Sequence, residues 1–195
     1  MKAGSAEIIV VMDRSGSMDH IRTDMEGGFD TFIEEQKKIP GECAVTLVKF
    51  DHEYEIEYQG KPLAEVPKLK LVPRGRTALF DAVGKTIAAV GERLEAMPEA
   101  TRPERVLFVV ITDGCENDSK EWTGAKVAEK VKHQTDKYNW CFVYMGANQD
   151  AFKSAREIGI VMAQNFKATP QGTGDLMRGL SVGSSNYRSS GKYGQ

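Results

Sequence analysis

The stretch from Glu7 to Ser17, EIIVVMDRSGS, decides how the chain is read. After Glu7 it is short, continuously apolar and rich in β-branched side chains, as in a strand buried on both faces of a parallel sheet. The strand runs straight into Asp13, and the spacing Asp13-x-Ser15-x-Ser17 lets alternate residues of a tight turn aim three oxygens inward. Gly16, between the serines, relieves the steric limits of such a turn.

Outward from this stretch, helical and extended patterns alternate. From His20 to about Lys38, Ile21, Met25, Phe29, Phe32 and Ile33 recur on one side until Pro40-Gly41 stops the pattern. Gly27-Gly28 within it imply close backbone approach or a kink. Cys43–Asp51 and Glu53–Tyr58 read as a tight antiparallel hairpin, the second strand alternating charged and apolar residues as an edge with one wet face does. A loop with Pro62, Pro67 and Pro73 leads to a helix over about Ala78–Met97. The apolar strand Arg105–Thr112 then ends at Asp113-Gly114. A helix (about Thr123–Lys137), a strand (about Trp140–Met145), a helix (about Asp150–Ile158) and a short strand (Val161–Phe166) follow. This alternation predicts an α/β fold: a six-stranded, mostly parallel sheet with one antiparallel edge strand and helices on both faces. The domain so defined covers residues 1–167. Residues 168–195 are Gly/Ser-rich and predict a tail, with a short helix at most around Leu176–Leu180 and then flexible chain.

Composition narrows the function classes. The chain has 195 residues, with 26 Lys+Arg against 28 Asp+Glu, a formal net charge of −2. Near neutrality argues against a nucleic-acid binder. Cys43, Cys115 and Cys141 share no C-x-x-C spacing, so neither a zinc ribbon nor a dithiol redox motif is available, and reduced thiols in a cytoplasmic protein are the plain reading. The first apolar run, Ile8–Met12, is shorter than a secretory core segment or a membrane span, which predicts no membrane association. Oligomeric state is not legible.

In open parallel sheets, ligands bind beyond the carboxyl ends of the strands. Two such ends carry an aspartate, Asp13 and Asp113, and the loop Pro73-Arg74-Gly75-Arg76-Thr77 delivers a threonine hydroxyl at the start of a helix. Carboxylates and hydroxyls are hard donors, suited to Mg²⁺ or Mn²⁺ and not to zinc. Between Lys61 and Arg76, five cationic residues stand against Glu65 alone, a local +4 able to steer acidic partners toward that site. Arg74 and Arg76 on one wall, with Glu116, Asn117 and Asp118 on the other, form the expected partner-binding rim. Trp122 nearby is either core or an exposed contact. His20, His52 and His133 are isolated and read as surface residues.

Simpler readings compete. Asp13, Ser15 and Ser17 can form a turn and cap the next helix, and Thr77 can be an N-cap. Gly84-Lys85-Thr86 is no phosphate-binding loop, because the position five residues earlier is Leu79 and not glycine. Asp13 as a phosphoryl-transfer nucleophile needs an acid/base partner, and two residues on stands Ser15.

Asp13-x-Ser15-Gly16-Ser17 after the first strand, then Thr77, then Thr112-Asp113-Gly114 after the fourth, resembles the metal-ion-dependent adhesion site (MIDAS) of von Willebrand factor type A (vWA) domains. The order of elements matches over about residues 5–166. The resemblance implies a Rossmann-like fold in which Ser15, Ser17 and Thr77 hold Mg²⁺ or Mn²⁺ through hydroxyls, and Asp13 and Asp113 hold it directly or through water. It further implies a non-enzymatic module that grips an Asp/Glu carboxylate of a protein partner, similar to small stand-alone microbial or phage members. Two alternatives stay open: a metal-assisted phosphohydrolase, for which no general base stands out, and a scaffold subunit whose metal site is incidental.

Overall fold

The computed structural model describes residues 1–147 and 151–194. In chain order it contains β1 (Lys2–Asp13), a 3-10 turn (Gly16–Ile21), α1 (Arg22–Lys37), β2 (Cys43–Phe50), β3 (Tyr54–Pro62), α2 (Leu79–Ala96) and β4 (Pro103–Thr112). There follow α3 (Gly124–Tyr138), β5 (Cys141–Ala147), α4 (Ala151–Glu157), β6 (Met162–Phe166) and α5 (Pro170–Ser190). The predicted start of the fourth helix at Asp150 lies outside the described residues. The strands form one sheet in the order β3-β2-β1-β4-β5-β6. Only the β2–β3 hairpin is antiparallel; the other neighbours run parallel.

The unbroken apolar run of β1 follows from its central position between β2 and β4. Ile8, Val10 and Met12 join the core beneath α1 and α5, while Ile9 and Val11 join the core beneath α2, α3 and α4. All five are fully buried, so neither face has room for a polar alternation. The edge strand β3 buries only Tyr58; Ile56 is exposed, and Tyr54 and Tyr58 meet opposite cores across register shifts in the hairpin. Among the described residues, no helix is long and apolar enough to cross a membrane.

The composition of residues 168–195 predicts a tail; the structure instead folds Pro170–Ser190 into α5, a helix of 21 residues that completes the core. Thr169 caps it by accepting from the Gly172 N–H, Pro170 opens its first turn, and Gly191 ends it at φ 77°. Leu176, Met177, Leu180 and Tyr187 are buried with the α1 side of the sheet. The glycines and serines serve close packing. A Cβ on Gly183 would lie 2.4 Å from Tyr193 Cζ, and one on Gly28 of α1 would lie 2.7 Å from Met177 Cγ. Gly28 thus marks the close backbone approach that its position implied. Arg188, also buried, donates to the carbonyls of Gln36, Ile39 and Gly41 at 2.6, 3.1 and 3.1 Å. It thereby ties the end of α1 and the loop after it to α5.

Leu180→Ala is therefore expected to destabilise the chain by about 2–5 kcal/mol in urea unfolding. A change within about 0.5 kcal/mol, the usual range for a surface position, would show that α5 is dispensable.

Candidate metal centre

The site lies past the carboxyl ends of β1 and β4, adjacent parallel strands at the centre of the sheet. Asp13 closes β1 and is fully buried, as is Thr112 at the end of β4. Asp13 Oδ2 accepts from the Thr112 hydroxyl at 2.5 Å, and Asp13 Oδ1 accepts from the Ser15 N–H at 2.6 Å. These bonds hold the carboxylate at the root of the turn. Ser15 Oγ and Ser17 Oγ stand 3.2 Å apart, and the Ser17 hydroxyl donates to Asp113 Oδ1 at 2.6 Å. Ser15 is buried and Ser17 exposed, so the cluster runs from the core to the surface. Gly114 floors it: a Cβ there would lie 3.1 Å from Thr77 Oγ1, 3.8 Å from Ser17 Oγ and 3.9 Å from Asp13 Oδ2. Two oxygens from the end of β1 and the turn after it, and one from the loop before α2, thus meet at Gly114, in the loop after β4.

Thr77 is not the cap of α2. The cap position is Ala78, with no side-chain capping bond, and among the described residues no hydrogen bond engages the Thr77 hydroxyl. Its backbone is clamped by Asn117, whose Oδ1 accepts from the Thr77 N–H at 2.9 Å and whose N–H donates to the Thr77 carbonyl at 3.0 Å. Glu116 and Ser119 do the capping, taking the N–H groups of Phe80 and Asp81 at 2.9 and 3.0 Å. In return, the Asp81 carboxylate accepts from the N–H groups of Lys120, Glu121 and Trp122 at 2.8–3.0 Å. Burial alone would raise the Asp81 carboxyl, but these three donors outweigh it and hold it below the usual range. Trp122 is half-buried, its ring over Gly84 of α2, and belongs to the core.

The expected rim is largely committed to structure. Arg74 gives its Nε to Asp51 Oδ2 at 2.9 Å and pairs with Glu53 through Nη2. Glu116 accepts from Phe80, Asp118 and Ser119. Arg76 remains exposed, with Asp118 as a loose partner at 3.5 Å. Residues outside the expected ligand set do much of the positioning: Thr112, which the motif Thr112-Asp113-Gly114 included without a role, and Asp51 and Asp81, which the sequence did not mark.

The electrostatics are unbalanced. Burial raises the Asp13 carboxyl to about 6, opposed by the hydrogen bonds from Thr112 and Ser15 and helped by the charge of Asp113. Asp113 is raised as well, by burial first, with Ser17 and the charge of His20 opposing. Among the described residues, no Lys, Arg or His lies within ion-pair distance of either carboxylate. The donor set fits a hard divalent cation: two carboxylates with no ion pair among the described residues, and three hydroxyls, of which that of Thr77 has no hydrogen bond. Among the described residues no group of three or more His, Cys, Asp or Glu side chains is placed to hold a metal ion.

No protein-family model matches the chain, and neither does any curated protein. Solved structures do. A von Willebrand factor type A protein from Catenulispora acidiphila superposes with a TM-score of 0.62 at 19% identity, covering 93% of this chain and 43% of that one. Proximal thread matrix protein 1 from the mussel byssus, with a zinc-occupied MIDAS motif, gives 0.62 at 17% identity over 92% of this chain and 45% of that one. VWA2, the ArnB paralog of Sulfolobus acidocaldarius, gives 0.58 at 14% identity, with coverage of 94% and 45%. The chain therefore has the von Willebrand factor type A fold. It spans less than half the length of each of these three proteins.

A folded-state carboxyl raised above its ordinary value disfavours folding once it ionises. For Asp13 that penalty is absent below the ordinary value of 3.8, grows up to about 6 and is complete above it. Asp13→Asn is thus expected to stabilise the metal-free protein by about 2–3 kcal/mol near neutral and mildly basic pH, with the gain vanishing toward about pH 4. Urea unfolding in EDTA across that range checks it; a variant less stable than wild type at neutral pH would contradict it.

Proposed function

We propose that the chain is a metal-dependent protein-binding module. Asp13, Ser15, Ser17, Thr77 and Asp113 hold a divalent cation through which an acidic residue of a partner protein is engaged. The observation that carries this reading is the meeting of the Thr77 and Ser17 hydroxyls with the Asp13 carboxylate at Gly114, beside the Asp113 carboxylate that Ser17 also holds. A bound Mg²⁺ or Mn²⁺ offsets the two aspartates and presents a remaining coordination position to the partner's carboxylate. Without a cation, the same aspartates repel that carboxylate. Zinc, set aside on donor hardness, occupies the motif of the mussel protein and belongs in the same titration.

The chain's own residues divide the work. Asp13 and Ser15 anchor the site from the buried side, Thr112 orients Asp13, and Asn117 fixes the backbone of Thr77. Exposed Ser17 marks the open side. We place the protein in the cytoplasm and away from nucleic acid and membrane, on its net charge of −2, the scattered spacing of Cys43, Cys115 and Cys141 and the shortness of its first apolar run. A phosphohydrolase reading gains one observation: the ring Nδ1 of His20 is bonded to the Ser17 carbonyl, which puts an imidazole at the site's edge.

Calorimetry with Mg²⁺, Mn²⁺ and Zn²⁺ is expected to show one site, weakened about 10-fold or more in Ser15→Ala and Thr77→Ala. Capture of the partner should be lost in EDTA and in both variants. Mg²⁺-dependent turnover of phosphate esters that disappears in Asp13→Asn and His20→Ala would replace the binding reading. Capture unchanged by EDTA would leave the site incidental.

A further inference from the structure

We propose that Asp51 is a positioning residue for the cation site, an inference that rests on the metal reading above. Asp51 follows β2 directly, so three neighbouring strands, β2, β1 and β4, each lead into an aspartate. The carboxylates of Asp13 and Asp113 gather at the site. That of Asp51, fully buried, turns to two guanidiniums: its Oδ2 accepts from Arg14 Nε and Arg74 Nε, each at 2.9 Å.

Main-chain bonds around Asp51 tie the same loops together. The Asp51 carbonyl accepts from the N–H of Ala78, the residue after Thr77, at 2.8 Å. The Arg14 N–H donates to the Phe50 carbonyl at 2.7 Å, and the Arg74 N–H donates to the Arg14 carbonyl at 2.9 Å. The Gly16 N–H reaches the Gly75 carbonyl at 3.3 Å. Gly75 sits at φ +66° with His52 packed so closely that a Cβ would lie 2.0 Å from its Nδ1. One buried carboxylate therefore joins the turn bearing Asp13, Ser15 and Ser17 to the loop that delivers Thr77.

Charge gives the arrangement a second effect. Arg14 stands in the chain between Asp13 and Ser15, where a guanidinium directed at the site would repel a cation. Asp51 holds Arg14 in a buried ion pair instead, with half-exposed Glu55 as a second partner. The oxygens of the turn are left to the cation, and the positive charge beside them is balanced.

Asp51→Asn strands Arg14 without its buried partner and can fail to fold, so the first variant is Arg74→Ala, whose side chain is half-exposed. Two readouts are taken: Mn²⁺ affinity by electron paramagnetic resonance, and amide exchange at Gly16 and Ala78 in metal-free protein. Arg74→Ala is expected to weaken Mn²⁺ binding about 10- to 100-fold, as loss of a group orienting metal ligands does. It should also speed exchange at both amides, with Arg74→Lys recovering much of the loss. A purely structural role would lower the melting temperature and leave Mn²⁺ affinity unchanged, and that result overturns the inference alone. Wild-type protein that binds no Mn²⁺ overturns the metal reading and this inference with it.

Discussion

Two carboxylates that form no ion pair among the described residues, Asp13 and Asp113, are the constraint on which the rest of the site depends. They follow adjacent strands in the middle of a sheet whose both faces are covered, where burial pushes both carboxyls up. A chain that needed these residues only for a turn has a cheaper solution available, since a serine or asparagine caps as well. The arrangement makes physical sense when a cation completes it. The hydroxyls that come to the same place, from Ser15, Ser17 and Thr77, are neutral donors that add ligands without adding charge.

Holding such a cluster open requires stiff surroundings. The sheet supplies the floor, and each loop above it is tied to a neighbour by charged or amide side chains. Asn117 grips both sides of the Thr77 peptide, Glu116 and Asp81 exchange carboxylates for backbone donors across the start of α2, and Asp51 binds Arg14 to Arg74. Loops normally carry function because a rigid scaffold positions them; here the rigidity extends into the loops themselves. The cost falls on the rim. Arg74 and Glu116, which in sequence look free to choose a partner, are occupied in shaping the site. Arg76 and Ser17 are left as the more accessible polar groups.

The fold was legible wherever one period dominated. The apolar runs of β1 and β4, the helical spacing in α1 and α2, and the charged alternation of β3 each admit one reading. The oxygens that converge at Gly114 were legible too, because strand ends in a parallel sheet point to a common place. What was hidden shares one cause, that small or polar residues look alike whether solvated or packed. Gly183 and Ser184 have the composition of a linker, yet Ser184 is fully buried in α5 and Gly183 lets Tyr193 approach closely. Asp51, Asp81 and Glu116 look like surface charge until the backbone brings donors to them.

The most direct test is a crystal structure grown with Mn²⁺ and recorded at the manganese absorption edge. The required result is one anomalous peak within metal–oxygen bonding distance of the Ser17 and Thr77 hydroxyls, beside Asp13 and Asp113. No peak there, or a peak confined to another part of the surface, would contradict the assignment of these residues as a cation site.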